Sequence, residues 1–405
     1  MIQLERKEDC CGCSACEQSC PVSCIRMIPD EEGFLYPEID KNTCICCGLC
    51  ERVCPVINSD VNSDESYDNA IAFAAWNIDE NLRLSSSSGG IFSALAEKIL
   101  KEGGIVFGVT YADDFKSARH IVCDSVTDIG KLRGSKYLQS DKQDIFSLVK
   151  EALKQGQTVL FSGTPCEIEG LKHFLQKPYD NLFYVDIICH GTPSPKLWAK
   201  YVSFRESLAG ARTVNTFPRH KKYGWKRYST LMVFSNKVEY LETFDKDLFM
   251  QMFLQDLCLR PACYECKFKK LKRESDLTLA DFWGCDQVVP ELDDDKGLSL
   301  VIVHSERGRR LLQDVNRNGQ VKLVEVDAQQ VLVGNPCMLY SSKRPERRDE
   351  FMNNLDRLKI PELAKAYVRQ LTLVDKVKRI VKCVAKRILN KQVIDQLMKI
   401  RHRLI

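Results

Sequence analysis

Two cysteine runs hold the side chains best suited to chemistry. Cys10-x2-Cys13-x2-Cys16-x3-Cys20-Pro21 is followed by Cys44-x2-Cys47-x2-Cys50-x3-Cys54-Pro55. This spacing suits 4Fe–4S clusters held through thiolates. Three thiolates in one short loop wrap three corners of a small cube, and the fourth, on a helical turn before proline, reaches the neighbouring cube. That logic assigns Cys10, Cys13, Cys16 and Cys54 to one cluster and Cys44, Cys47, Cys50 and Cys20 to the other. Cys11, Cys24 and Cys46 are then non-ligands. The competing chemistry is zinc, which prefers two separated Cys-x2-Cys pairs around one tetrahedral ion. Eight cysteines at these spacings favour the cubes.

The duplicated run resembles bacterial-type two-cluster ferredoxins, which implies a small ferredoxin-like domain over residues 1–57. Eleven of the twenty cysteines fall within the first 54 residues, as ligand sets do and scattered core thiols do not. The first nine residues are charged and lack the apolar core of a secretory signal. A cytoplasmic chain with reduced thiols and no disulfide framework is therefore expected. No apolar run approaches the roughly 18 residues that span a bilayer, which excludes an integral membrane helix. A length of 405 residues, 44% apolar and 28% charged, suits a globular protein of about two or three domains. The net charge of +4 hides an asymmetry: residues 1–68 hold 14 acidic and 5 basic side chains, residues 375–405 hold 2 and 10. That split predicts three parts.

The elements that must position these groups follow from periodicity. The polar stretch 58–69 reads as a linker. Beyond it, strands over 70–76, 104–110, 158–162 and 182–189 alternate with helices over 90–101, after Pro165 and from Pro195. Each helix begins just after a Gly, Ser or Pro turn, so strand C-termini feed helix N-termini and ligands are expected there. Residues 213–241 are strand-rich, and 298–304 reads as a late strand. The predicted fold is α+β and multidomain. It comprises the ferredoxin-like domain 1–57, the linker 58–69, an α/β flavin-binding body over 70–340, and a helical extension 341–405 ending in a basic helix.

Four motifs in the body carry a further resemblance. They are Gly163-Thr164-Pro165-Cys166-Glu167-Ile168-Glu169-Gly170-Leu171, Asp186-Ile187-Ile188-Cys189-His190-Gly191, Arg260-Pro261-Ala262-Cys263-Tyr264-Glu265-Cys266 and Asp281-Phe282-Trp283-Gly284. In this order they resemble the beta-subunit family of coenzyme F-420 hydrogenases and dehydrogenases over most of residues 70–340. The resemblance implies FAD, at least one 4Fe–4S cluster, and electron movement between iron–sulfur centres and an organic acceptor. It also implies a third cluster on Cys166, Cys189, Cys263 and Cys266, with Cys258 and Cys285 as competitors. Cys263-x2-Cys266 is a local chelate, while Cys166 and Cys189 each follow a predicted strand. Buried thiols or a nucleophile are the alternative. Cys189 beside His190 invites that thought, but neighbours on a strand point to opposite faces.

Ser85-Ser86-Ser87-Ser88-Gly89-Gly90 leads into a helix. Glycines let a backbone approach a phosphate, hydroxyls donate to it, and the helix N-terminus favours its charge. A turn that only caps its helix is the alternative. The family has a Ser-Gly-Gly turn here, which implies that Ser88, Gly89 and Gly90 contact the FAD pyrophosphate. Arg133-Gly134-Ser135-Lys136-Tyr137 resembles another family segment, implying phosphate or ring contacts from Ser135, Lys136 and Tyr137. Thr164 is the hydroxyl donor expected at the helix entry before Pro165. No Gly-x-Gly-x-x-Gly fingerprint follows the early strands, so a Rossmann dinucleotide site is not supported. Asp281-Phe282-Trp283-Gly284 reads as an acid and an indole against a ligand, or as a strand-end turn with a buried Trp. The basic and aromatic run 219–228 reads as a plain solvated hairpin, a flap over an anionic substrate, or a docking face for an acidic electron donor. It is thin evidence for nucleic acid.

In the tail, Val377, Ile380, Val381, Val384 and Ile388 repeat at helical spacing among Lys376, Lys378, Arg379, Lys382, Lys386, Arg387 and Lys391. Such a helix packs on the body, binds a protein partner, or lies peripherally on the inner membrane surface. The functional expectation is a cytoplasmic iron–sulfur flavoprotein oxidoreductase with no catalytic residue assigned. A ferredoxin-like or other low-potential donor feeds single electrons to two head clusters, the third cluster passes them to FAD, and FAD reduces an organic acceptor by pairs. The alternative is an electron-transfer subunit of a larger redox complex with no substrate site of its own. Nucleic-acid binding ranks below both.

Overall fold

The computed structural model describes residues 2–59, 71–332 and 334–369. In the head, β1 (Ile25–Pro29) and β2 (Leu35–Ile39) pair antiparallel beside the helical turns Ala15–Gln18 and Leu49–Arg52. A lone hairpin is marginal in water. The head supplements it with sulfur: Cys16, Cys24, Cys50 and Cys54 are buried with Ile2, Ile25, Val56 and the body residue Phe268.

The body is built on one nine-stranded mixed sheet. Its strands are β3 (Ile71–Asn77), β4 (Ile105–Tyr111), β5 (Ala118–Cys123), β6 (Ser140–Asp141), β7 (Val159–Gly163), β8 (Leu182–Ile187), β12 (Leu277–Asp281), β13 (Ser299–Val303) and β14 (Val321–Asp327), in the order β14-β3-β13-β12-β8-β7-β4-β5-β6. The central strands β4, β7, β8 and β12 are parallel neighbours. On one side β13, β3 and β14 continue antiparallel, and on the other β5 runs antiparallel to β4.

Alternation along the strands supplies two cores. Val106 and Leu160 face the helices Ile91–Lys101 and Glu306–Arg317, whereas Phe107 and Phe161 face Ile145–Lys154 and Pro165–Leu175. The helix Glu306–Arg317 shows how the face is chosen: Leu311, Leu312 and Val315 turn inward while its arginines stay outside. A second layer holds β9 (Thr213–His220), β10 (Ser229–Phe234) and β11 (Glu239–Thr243), an antiparallel sheet packed with the helices Pro195–Ala209, Leu248–Leu254 and Ile360–Tyr367. Pro195 opens its helix, the Ser194 hydroxyl accepts from Leu197 N–H at 3.0 Å, and Gly210 ends it at φ 64°.

The sheet departs from the expected simple alternation. Residues 118–123, 277–281 and 321–327 add strands, and the helices Ile145–Lys154 and Glu306–Arg317 lie between elements read from the sequence. The strand 277–281 is short and central, between β8 and β13, whereas 118–123 and 321–327 lie toward the sheet edges and alternate only in part between buried and exposed positions. Residues 60–70 and 370–405, which hold most of the expected linker and the basic amphipathic helix, lie outside the described residues. Among the described residues no helix is long and apolar enough to cross a membrane.

Head and body share a seam. Cys13, Ala15 and Val53 enter the core formed by Phe146, Ile168 and Leu171. The buried Arg260 guanidinium donates to the carbonyls of Cys10 at 2.8 Å and Leu35 at 3.0 Å, and stacks 4.1 Å over the Tyr36 ring. Gln139 joins the same seam, accepting from Leu35 N–H at 3.0 Å. Gly170 is required there, because a Cβ would lie 2.7 Å from that of Cys13.

Candidate functional site

The two cysteine loops take the same backbone shape. Gly12 (φ 72°) and Ser14 (φ 65°) in the first correspond in spacing to Cys46 (φ 54°) and Gly48 (φ 72°) in the second, and a helical turn follows each. Left-handed residues alternating with ordinary ones turn successive N–H groups inward, a concavity that suits an anionic centre.

The structure brings the cysteines into three groups. Cys10, Cys13, Cys16 and Cys54 are mutual neighbours at the head–body seam. Cys20, Cys44, Cys47 and Cys50 surround a small hollow with Cys24 and Cys46, the sulfurs of Cys20 and Cys24 being 3.3 Å apart. Cys166, Cys189, Cys263 and Cys266 surround another, with Cys11 at its edge. Cys258 and Cys285 are fully buried in other cores, beside Phe253 and Phe282 respectively. Cys383 lies outside the described residues.

Burial makes most thiols of the seam group and of the third group hard to ionise. It pushes Cys266 up to about 12 and Cys54 up to about 11, and raises Cys10, Cys189 and Cys263. A centre that takes sulfur as thiolate removes that cost by releasing the protons. Cys13 and Cys166 are exceptions: hydrogen bonds from Cys11 hold both thiols below their ordinary value, and the Cys11 thiol is raised in return. Cys11 therefore bridges the first and third groups. Beneath it lies a buried ion pair, Lys142 Nζ to Glu167 Oε1 at 2.8 Å. Among the described residues, no three His, Cys, Asp or Glu side chains close on a single ion. A cube spreads its thiolates over four irons, a wider set than zinc's tetrahedron. The donor chemistry and the inward N–H groups fit such cubes.

Beside the third group opens a cavity of about 640 Å³, within the usual range for organic ligands. It sits where β7, β8 and β12 end, so Gly163, Thr164, Ile187 to Gly191, Asp281 and Trp283 line it. This is the crevice beyond parallel strand ends that the sequence pointed to. Ser86, Ser87, Ser88 and Gly90 form a second wall, and Arg133 through Gln139 a third. Gly90, at φ 84°, opens the helix Ile91–Lys101 with no side-chain cap, so that N-terminus faces the cavity.

The expected flavin contacts are placed unevenly. Ser88, Gly90, Ser135, Lys136, Tyr137 and Thr164 line the cavity, whereas Gly89 does not. Gly89 is pressed onto the sheet, its N–H donating to Ser299 Oγ at 2.9 Å. A Cβ there would lie 2.4 Å from the Ala75 carbonyl oxygen, so close packing explains this glycine. The Lys136 ammonium is spent on the carbonyls of Lys131, Leu132, Arg133 and Gly134. Burial pushes it down to about 7. Ser135 is tied to Ser87, with oxygens 3.0 Å apart, and the Thr164 hydroxyl lies 3.2 Å from Cys166 Sγ.

The run 219–228 is not a plain solvated hairpin. Trp225 is buried and stacks on Trp283 with centroids 4.9 Å apart. Lys221 donates to the carbonyls of Arg83, Ser88 and Lys296, pinning the run to the serine turn. Asp281 accepts from Arg219 at 2.9 Å and from the Trp225 indole at 2.6 Å. The buried aromatic of its motif is Phe282 rather than the expected Trp: Phe282 is core, while Asp281 and the half-buried Trp283 line the cavity. Sequence reasoning missed Arg260 and the Lys142–Glu167 pair, whose partners lie 25 to 250 residues away. Arg260 sits among apolar neighbours, a local signal of sorts, whereas Lys142 lies in a polar run, Ser140-Asp141-Lys142-Gln143-Asp144, and gives none.

A family model described as coenzyme F420 hydrogenase/dehydrogenase, beta subunit N-term, matches residues 72–144. A second model, for the C terminus of the same beta subunit, matches residues 156–329. Together they take in more than half of the chain, and residues 1–57 lie outside both. No curated relative matches. Among solved structures, the chain is similar to one from the xenon-derivatised F420-reducing NiFe hydrogenase complex of Methanosarcina barkeri. The match has 16% identity and a TM-score of 0.47, covering 75% of this chain and 94% of that one. On the two family models, which between them span the sheet and the third cysteine group, the chain belongs to the coenzyme F420 hydrogenase/dehydrogenase beta-subunit family.

Proposed function

We infer that this chain is an electron-transfer subunit that works with a protein partner and passes electrons through three 4Fe–4S clusters to a flavin in the body cavity. The observation that supports this most is the run of cysteine groups: one on the outer side of the head, one at the seam, one beside the cavity, with Cys11 between the last two. The ligand sets in this reading are Cys20, Cys44, Cys47 and Cys50; Cys10, Cys13, Cys16 and Cys54; and Cys166, Cys189, Cys263 and Cys266. Arg260, Lys142 and Lys269 place positive charge near these groups. That favours retention of anionic centres.

FAD would sit with its phosphates toward Ser88, Gly90 and the open N-terminus of Ile91–Lys101, and its ring system toward Tyr137 and Trp283. When bound it supplies the exchange between single electrons and pairs. The chain's own part is to bind and orient it, to hold the run 219–228 over the cavity through Lys221 and Trp225, and to keep water out. A second reading, that the chain also reduces an organic acceptor itself, is favoured by the size of the cavity.

The test is stepwise anaerobic reduction of the purified full chain. Cluster and flavin absorbance should bleach together, and Cys266→Ser should leave the flavin oxidised while the head groups still bleach. Flavin reduction at an unchanged rate in that variant contradicts the relay.

A further inference from the structure

Cys337, His190 and Asp256 form a group on the wall of the same cavity that the relay does not use. His190 Nε2–H donates to Asp256 Oδ1 at 2.7 Å, so the carboxylate fixes the ring tautomer. Nδ1 then carries the lone pair, and it faces the Cys337 sulfur at 3.6 Å. A thiol against an imidazole that a carboxylate orients is the arrangement that activates a sulfur nucleophile.

Three separate pieces of chain meet here. His190 follows β8, Asp256 follows the helix Leu248–Leu254, and Cys337 sits in the turn Pro336–Met338. The imidazole is held edge-on by Phe253 at 5.1 Å between centroids, and the Ser342 hydroxyl donates to the His190 carbonyl at 3.2 Å. The Tyr264 hydroxyl donates to the carbonyl of Asp256, which itself sits at φ 60°, a left-handed conformation that Asp tolerates. Cys189 turns instead toward Cys263 and Cys266, so the neighbouring residues serve different groups. Cys337 and His190 line the cavity, and neither is fully buried. A purely structural thiol–imidazole contact would not need that opening. Phe253 and Trp283 flank the same space, a surround suited to a flat conjugated compound.

We propose that Cys337 is a nucleophilic thiol, with His190 as its base and Asp256 as a positioning residue, and that it adds to conjugated carbonyl compounds bound in this cavity. The sulfur–carbon bond forms at the β-carbon, the carbon–carbon π-bond breaks, and its electron pair moves to the carbonyl oxygen as an enolate. The thiol proton passes to His190 Nδ1 and then to the α-carbon. Electrons and atoms balance with no outside oxidant or reductant. The proposal rests on the preceding reading only in placing an organic compound in this cavity.

The probe is N-ethylmaleimide, itself a conjugated dicarbonyl compound. The anaerobically purified full chain is treated at one fixed pH, and alkylation of each cysteine-containing peptide is timed by mass spectrometry. Exposed Cys46 serves as the internal reference. Cys337 should react about tenfold faster than Cys46. The rate should fall to the Cys46 level in His190→Gln, fall partly in Asp256→Asn, and recover in Asp256→Glu. Iron content and the Cys46 rate should stay at wild-type values throughout. A Cys337 rate no higher than that of Cys46 overturns the proposal, as does a rate indifferent to the His190 change. Where His190→Gln loses iron, Asp256→Asn decides, and an unchanged rate there overturns it. Flavin is measured on the same samples. A flavin-free chain with a fast Cys337 keeps the thiol site and contradicts the relay, while a flavin-loaded chain with a slow Cys337 does the reverse.

Discussion

The two cysteine loops of the head share spacing and backbone shape but occupy opposite environments. Around the first, Cys13 and Cys16 are buried, Arg260 and Gln139 close over Gly12, and Gly170 of the body touches Cys13. In the second, Cys46 and Cys47 are exposed, and Ile45 is 61% accessible. Local sequence thus builds the same turn twice, and tertiary packing seals one while leaving the other at the surface; in the proposed relay these would be an internal station and an outer port. A cluster near solvent and one sealed in protein also differ in reduction potential, since exposure and nearby charge tune it.

Ligand loss should hit both loops equally and is the largest effect. Cys13→Ser and Cys47→Ser are each expected to remove about four of about twelve irons per chain by colorimetric assay. Cys258→Ser and Cys285→Ser should leave the iron count unchanged, and a loss in either would redraw the third group.

Charge removal should separate the loops. Lys142→Met leaves Glu167 buried without its partner beneath the first loop, at a cost of about 3–5 kcal/mol in denaturant unfolding. Lys41→Met, at an exposed position beside the second loop, should stay within about 0.5 kcal/mol.

Acid should act on the same sealed side. His120 is buried beside Ser140 Oγ at 2.6 Å, and burial pushes it down to about 4. The unfolded chain takes up that proton near pH 6.5, the folded chain only near 4. Stability is therefore intact above about 6.5 and falls as pH drops through this window, by about 3 kcal/mol. His120→Gln should flatten that part of the stability-against-pH curve.

Glycine substitution gives the smallest contrast. Gly12 and Gly48 both sit at φ 72°, so alanine costs about 1–2 kcal/mol at either. At Gly12 a Cβ would also lie 2.3 Å from Gln139 Nε2, whereas at Gly48 its nearest neighbour is Glu51 Oε2 at 4.0 Å. Gly12→Ala should therefore lower the melting temperature further than Gly48→Ala.

The same contrast explains what the sequence disclosed. Chelate spacing is local, so the loops are readable from sequence, and the structure places Cys54 beside Cys10, Cys13 and Cys16. The strand ends near Gly163 and Ile187 were legible because Gly and Pro punctuate them. Other features depend on distant partners. Arg260 meets Cys10 from 250 residues away in sequence, His190 meets Asp256 and Cys337 from three segments, and β12 is only five residues long. Gly89 misled for a related reason: a glycine that admits a phosphate and one that admits a neighbouring strand look alike in sequence.

The most direct test of the account is the content of iron, acid-labile sulfide, zinc and flavin in the anaerobically purified full chain. The account predicts about twelve irons, matching sulfide and about one flavin per polypeptide. About eight irons with no flavin, or zinc in place of iron, would contradict it.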